Sequence, residues 1–575
     1  IANPAGVQIG NSAQINVGSL YVTNKDVGEA LDGINQNSDA SDIVSAINKG
    51  VAETNAELMS LGAIVNAKNV TFDGARIVLD TDRIYENNAD GELTPVNDTT
   101  LAGMLNIRTT DADNVVLGYD AYNNGGFKQA EKKFNVTKVT KIDDSSTESP
   151  VEVTRYMWIE NLDQLQDMDT NLNGWYALRN SIDANATADK EYNDNKGFDS
   201  IGKFNPGEQI NNPFTGRFDG LGYSIFGLTI DRAGEDYVGL FGAIGDGAYV
   251  RNFTLNSGTI TGTNHVGAAV GGTVGSGTVI ENITNTANVR GGNSVGGVIG
   301  SASKSSMSGL INIGTISGST NVGGIVGNMT GGTLAGETYN IGGVSGDDKN
   351  IGGIVGSARH DARIGNSGEN GFQIYNSLNV TGEYDVGGIV GTLMGSNVVN
   401  AANYGNVTAN GSKIDEYKYH TAETNVDKLD GAGLDSGVAT IAVSAANAGG
   451  IAGRSEHGYA DDMTKLLSNI TDVINEGDVT SVREGSDNHY KAGNVGGIVG
   501  RAESTTITNA ENKENTVAGA HNVGGVAGFL TGNSSIDGGV NNGGDITATG
   551  ARKYGDGDFA QERVRPYGQY GDEIF

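Results

Sequence analysis

Six histidines stand at 265, 360, 420, 457, 489 and 521, at unrelated spacings and with no HExxH pair to set two imidazoles on one helical face. Cysteine is absent, which removes CxxC metal sites and disulfide staples. No GxSxG elbow, GxxxxGK[ST] phosphate loop or strand-to-helix GxGxxG occurs. The run Asp167-Met168-Asp169-Thr170-Asn171-Leu172-Asn173-Gly174 superficially resembles a calcium loop. Its Gly falls eighth instead of sixth, and Leu178 stands where the loop needs a Glu. Gly555-Asp556-Gly557-Asp558 could join a cation site only with ligands from elsewhere. A polysaccharide lyase or glycosidase would set paired carboxylates on one wall. Among 69 acidic residues, the sequence selects no such pair. No catalytic residue, metal ligand or cofactor site is therefore assigned. The net charge of −32 favours loosely held surface calcium and disfavours nucleic acid and anionic membranes as partners.

The elements that would carry any site are written as a repeat. One phrase returns nine times between Tyr237 and Gly528, with its first apolar residue at Val238, Val266, Val295, Val322, Ile351, Val386, Ala448, Val495 and Val523. The gaps are 28, 29, 27, 29, 35, 62, 47 and 28 residues, a period stretched only where extra sequence is inserted. Asn321-Val322-Gly323-Gly324-Ile325-Val326-Gly327 is too short and β-branched for a helix and alternates its apolar side chains as a strand does. A second alternation recurs between phrases, at Ile311-Asn312-Ile313-Gly314-Thr315-Ile316 and Asn403-Tyr404-Gly405-Asn406-Val407-Thr408. Three short strands and three turns per unit describe one coil of an all-β, right-handed parallel β-helix, a solenoid whose coils are stable only when stacked. Asn precedes the phrase at Asn321, Asn350, Asn447, Asn494 and Asn522. Asn accepts left-handed turn geometry, and stacked amides can bond along a ladder, so these asparagines read as structural. With 90 Gly, 6 Pro and a clear period, the chain is neither collagen nor disordered, and no run of about 18 apolar residues could span a membrane.

These phrases resemble the GLUG repeats of large bacterial surface proteins, and Phe218-Asp219-Gly220-Leu221-Gly222-Tyr223-Ser224-Ile225-Phe226-Gly227-Leu228-Thr229-Ile230 is similar to the segment that leads into them. Some proteins with such repeats are secreted metallopeptidases, but no protease motif occurs in this chain. Near the start, Asn3-Pro4-Ala5-Gly6-Val7 followed by Ala13-Gln14-Ile15-Asn16-Val17-Gly18 resembles the Asn-Pro-Asn-Gly-Ile segment of the filamentous-haemagglutinin secretion domain, with Ala5 for the second Asn and Val7 for the Ile. The front of that domain and its cap would lie before residue 1. The resemblance implies two-partner secretion, in which an outer-membrane transporter recognises an N-terminal β-helical domain.

The chain then divides into an end of a secretion-type domain at 1–84, a connector at 85–235, the repeat array at 236–546 and a tail or linker at 547–575. Apolar residues at mostly helical spacing predict one helix near 40–60, packed along the wall. Residues 85–150 read as polar, irregular loops. The pattern from Tyr156 to Ile182 predicts a short helix leading into a strand, with Trp158 and Trp175 sealing a junction. Insertions at 411–446 and 455–493 should emerge as loops and carry specificity. The expected function is that of a secreted bacterial surface adhesin or fibre-forming structural protein, not an enzyme. Its expected partners are the transporter, a host or microbial surface glycan or protein, and further copies end to end. The alternatives are a polysaccharide-degrading enzyme and an inert stalk for an effector outside this chain.

Overall fold

The computed structural model describes residues 1–575 apart from 4, 11, 27–50, 53–56, 89, 124, 128–132, 143–144, 368–370, 412–415, 420–438, 443–445, 483–492, 520–521 and 549–575. The chain is all-β, a parallel β-helix with only short helices, and it divides into two units.

The first unit comprises residues 1–180 and 216–221. One wall is a parallel column of Val7–Ile9, Glu57–Ser60, Arg76–Asp80, Val115–Tyr119, Tyr156–Ile159, Trp175–Leu178 and Arg217–Asp219. A second runs Ser19–Thr23, Asn69–Asp73, Leu105–Thr109 and Lys133–Ile142, the last folding back antiparallel onto Ser145–Thr154. The interior is apolar, with Val22, Leu58, Val70, Phe72, Ile77 and Ile107 wholly buried. Region 85–150 is thus not irregular. It holds helix α1, Asp98–Met104, capped by the Asn97 side chain on two backbone N–H groups, and strands that continue the coils. Helix α2, Leu162–Gln166, is capped by Asn161 and precedes the strand Trp175–Leu178, the order the sequence predicts. The helix expected near 40–60 is corrected at its end, where Glu57–Ser60 is a strand paired on both edges. Residues 27–50 and 53–56 lie outside the described residues. Residues through Asn180 belong to this unit and 181–215 to the next, so the connector expected at 85–235 is shared between the two.

The second unit comprises residues 181–215 and 222–575. Each coil contributes strands to three parallel sheets. A nine-stranded sheet runs from Phe241–Ile244 to Ala527–Thr531, and an eight-stranded one from Asn264–Gly267 to Val523–Gly524. The third wall is built from pairs such as Val279–Asn285 with Asn288–Arg290, and Ser306–Asn312 with Ile316–Gly318. The nine anchors occupy one register column, each opposite the next from Val238 to Val523. All nine are buried, and removing each from water contributes about 1.5–3 kcal/mol for a Val or Ile. The second glycine of the phrase is required by this stacking. A Cβ on Gly324 would sit 2.1 Å from the Gly353 carbonyl oxygen and 2.5 Å from Asn340 Cγ.

Candidate functional site

Columns of corner residues run along the second unit, several of them buried. The residue before the anchor is left-handed at Tyr237, His265, Ser294, Asn321, Asn350, Asp385 and Asn522, with φ between 41° and 62°. Such backbone is costly for most side chains and tolerated by Asn and Asp, which suits Asn321, Asn350, Asp385 and Asn522; Asn447 and Asn494 are not left-handed, so the expectation is corrected there and their amides serve the ladder alone. Within the Asn column, Asn350 Nδ2 donates to Asn321 Oδ1 at 2.7 Å, Asn494 to Asn447 at 2.6 Å and Asn522 to Asn494 at 2.8 Å. Between them Asp385 replaces the amide and accepts from Asn447 at 2.6 Å, so the ladder has two segments. A second left-handed column, Asn252, Asn282, Gly309, Asn400, Asp472 and Asn509, bends the third wall in mid-strand.

A further ladder, which sequence reasoning misses, runs inside the third wall. Asn285, Asn312, Asn340, Asn376, Asn403, Asn475, Asn512 and Asn541 are joined by Nδ2-to-Oδ1 hydrogen bonds of 2.7–2.9 Å. The first seven are fully buried. Most spend a second Nδ2 proton on a carbonyl two residues ahead, as Asn376 does on Leu378 at 2.7 Å and Asn403 on Gly405 at 2.8 Å. Buried amides are tolerated because both polar atoms are satisfied.

The residue following each buried Asn faces solvent, and here apolar side chains line up. Ile313, Ile341 and Tyr404 follow one another in register, with Leu378 beside the intervening Ser377. They are 44%, 36%, 43% and 45% exposed for Ile313, Ile341, Tyr404 and Leu378. On the inner flank Tyr339 and Tyr375 stack with ring centroids 4.7 Å apart and 7° between planes, and Tyr375 meets Tyr404 edge-on at 6.3 Å. Burial, then neighbouring Tyr339, raises the Tyr375 phenol above its ordinary pKa; burial and then Glu476 do the same for Tyr404. Both keep their protons at neutral pH. The strip ends where Glu476 pairs with Lys513 at 3.2 Å.

The insertion expected as a loop at 455–493 is in large part coil, since Ser468–Asn475 and Val479–Ser481 are parallel strands of the third wall, and what leaves the coil before them is a hairpin. Gly458–Tyr459 pairs antiparallel with Lys465–Leu466, and the hairpin lies back along the wall until Asp461 meets Lys304 at 3.1 Å. Gly395, with φ of 54°, makes the room, since a Cβ there would stand 2.8 Å from the Gly458 backbone. Tyr459, Met463 and Leu467 remain exposed on it. Of the insertion at 411–446, the described part beyond Gly411 and Ala446 is the antiparallel pair Glu416–Tyr419 and Ala439–Ala442.

The chemistry-bearing residues remain scattered. His265 stacks on Tyr237 at 4.5 Å, and His457 lies edge-on to Tyr459. His420, His489, His521 and the Gly555–Asp558 run lie outside the described residues. Asp167–Thr170 is a 3-10 turn whose Asp167 accepts from the Tyr122 hydroxyl. Trp158 is buried within its unit, and Trp175 lies under the Arg217 guanidinium at 4.3 Å. One charge cluster joins Arg179 to Asp80, Asp120 and Glu160, with Arg83 also 3.7 Å from Asp80, and its bonds read as an ion-pair network. Burial, only partly offset by Arg179, raises the Asp80 carboxyl above its usual range. Among the described residues no group of three His, Cys, Asp or Glu side chains could hold a metal ion, and no helix is long and apolar enough to cross a membrane.

No family model matches the chain. It is 37% identical over 160 residues to halomucin of Haloquadratum walsbyi, covering 28% of this chain and 2% of that protein. It is 41% identical over 76 residues to a candidate Gly-rich membrane protein of Evansella cellulosilytica, covering 13% and 8%. The chain thus spans a small part of both relatives. Among solved structures, a candidate immunoglobulin A1 protease from Bacteroides ovatus aligns over 61% of this chain and 84% of its own, at 15% identity and a TM-score of 0.32.

Proposed function

We propose that this chain is the repeat-bearing part of a secreted surface protein of the GLUG and filamentous-haemagglutinin type, displayed by a bacterium with an outer membrane and acting in adhesion. The observation that carries the reading is the uncharged strip of Ile313, Ile341, Leu378 and Tyr404 on a chain of net charge −32. Isolated apolar residues are ordinary on a protein surface, whereas contiguous ones aligned over successive coils mark a contact face. Repetition suits the role, since stacking builds a long regular surface from one local rule. Two-partner export through an outer-membrane transporter and assembly of copies into a fibre belong to the same proposal.

The test is adhesion of beads coated with the purified chain to bacterial and host cells. Binding that falls at least tenfold in a Tyr404→Thr, Ile341→Thr double variant supports the reading. Binding to no cell surface, or binding indifferent to the strip, overturns it. Electron microscopy with and without millimolar calcium separates a discrete adhesive arm from a fibre subunit.

A further inference from the structure

The strip does not stand alone. Along one side of it runs a column of turn residues in which a side-chain oxygen takes the backbone N–H of the next coil. Asn288 Oδ1 accepts from Thr315 N–H at 3.1 Å, Asn379 from Asn406 at 3.3 Å and Asn406 from Asp478 at 3.0 Å. Asn379 and Asn406 are exposed. With Oδ1 committed to the fold, each Nδ2 has no acceptor among the described residues and offers two N–H donors to solvent at a fixed height. Beside the Leu378 and Tyr404 end of the apolar ribbon, two immobilised amides, Asn379 and Asn406, therefore follow one another along the coil axis, while Thr315 and Gly343 hold that position beside Ile313 and Ile341.

We infer that this face binds a neutral, extended β-linked polysaccharide laid parallel to the coil axis, an inference that rests on the adhesive reading above. Three features select that occupant. A sugar ring presents C–H faces and rim hydroxyls, which match the aliphatic and Tyr edges on one side and the Asn379 and Asn406 amides on the other. Coils repeat at ~4.8 Å, and an extended β-linked chain advances by close to that length per ring, so successive rings meet successive coils. The contact residues from Ile313 to Tyr404 carry no charge, while Glu337 and Glu476 stand at the margin and the whole chain is strongly acidic. That field repels uronates and sulfated glycans and leaves neutral ones unaffected. The Tyr339 and Tyr375 faces cover each other, so the rings contribute edges and hydroxyls instead of a flat platform. Recognition then depends on several sugars in line.

The experiment is calorimetry and affinity electrophoresis of the whole chain against hexasaccharides of β-linked glucose, mannose and xylose, with hexagalacturonate as the anionic comparator. Expected is binding to at least one neutral series that strengthens with chain length, falls at least tenfold in Tyr404→Thr and in Asn406→Asp, and is unchanged in Phe529→Thr on another sheet. Threonine is the residue this column already carries at Thr286, so the variant keeps the local fold, which circular dichroism checks. Failure of every neutral series, preference for galacturonate, or binding indifferent to Tyr404 overturns the inference. If cell adhesion nonetheless falls in Tyr404→Thr, the adhesive reading survives with a protein as its target. If the strip variant abolishes a concentration-dependent dimer in sedimentation, the face is a self-contact and the glycan inference fails.

Discussion

Replacing Asn376 with Ala would cut the buried ladder at its middle. Asn376 is fully buried, donates to the Leu378 carbonyl at 2.7 Å and to Asn403 Oδ1 at 2.9 Å, and accepts from Asn340 Nδ2 at 2.9 Å. The variant deprives two acceptors of their donor and one N–H of its acceptor, inside a wall. Each buried group left unsatisfied costs about 1–3 kcal/mol, and partial entry of water into the vacated space lowers the sum to about 3–5 kcal/mol. A solenoid is held by nearest-neighbour terms, so the loss should concentrate on the coils either side. Hydrogen exchange read by mass spectrometry should show protection across 374–382 and 401–409 falling by about two to three and a half decades, since about 1.4 kcal/mol is tenfold. Protection in the first unit should not change. The comparator is Asn397→Ala, whose bonds to Asp361 at 3.2 Å and from Asn469 at 2.7 Å lie where water can replace them, and it should cost about 1 kcal/mol. If both variants lose protection equally, or Asn376→Ala loses none, the ladder is an accompaniment of the fold and not part of what holds it.

Gly324→Ala, whose Cβ would meet backbone 2.1 Å away, should prevent the repeats from folding, whereas Gly343→Ala has open space and should leave the urea midpoint within experimental error. Arg179→Met removes the nearer of two cations beside Asp80, whose side chain is inaccessible to solvent, leaves the part-exposed Arg83 at 3.7 Å, and should cost about 3 kcal/mol at neutral pH. Because burial already raises the folded-state Asp80 pKa, that penalty should be least below about pH 4, the unfolded carboxyl value, and grow as pH rises through the folded value. Urea melts of the two proteins from pH 3 to 7 check the sign. Burial lowers the His265 pKa below 6.5, so the unfolded chain takes up the proton more readily. Stability from this group should be present above about pH 6.5 and fade as pH falls through the folded value, a dependence that His265→Phe should abolish.

Legibility differs from element to element. Val322 and Ile351 are assignable from the linear chain because alternation and period are local properties, and stacking then leaves one register that buries them. Asn321 is legible for a related reason, since a left-handed corner favours Asn wherever it lies. Asn312 and Asn340 look no different in sequence from Asn321, yet they are wholly enclosed in the third wall while Asn321 keeps an edge in water, because enclosure depends on which side of a corner the side chain falls. Within 455–493, the hairpin from Gly458 to Leu466 reads as a loop for want of any local signal that it lies flat. What lets it do so is Gly395, where a Cβ would stand 2.8 Å from both the Gly458 backbone and Leu466 Cβ. That requirement joins residues far apart in the chain, so no window of sequence contains it.

The all-β coil, its period and its left-handed corners are already written in the linear chain, because they follow from alternation, β-branching and the conformational range of Asn and Gly within a few residues. Which asparagines are wholly enclosed, how the 458–466 hairpin lies, and that Ile313, Ile341 and Tyr404 share one face emerge on folding alone. Those residues lie a coil or more apart in the chain, and it is the stacking of coils, with its fixed register, that makes them neighbours.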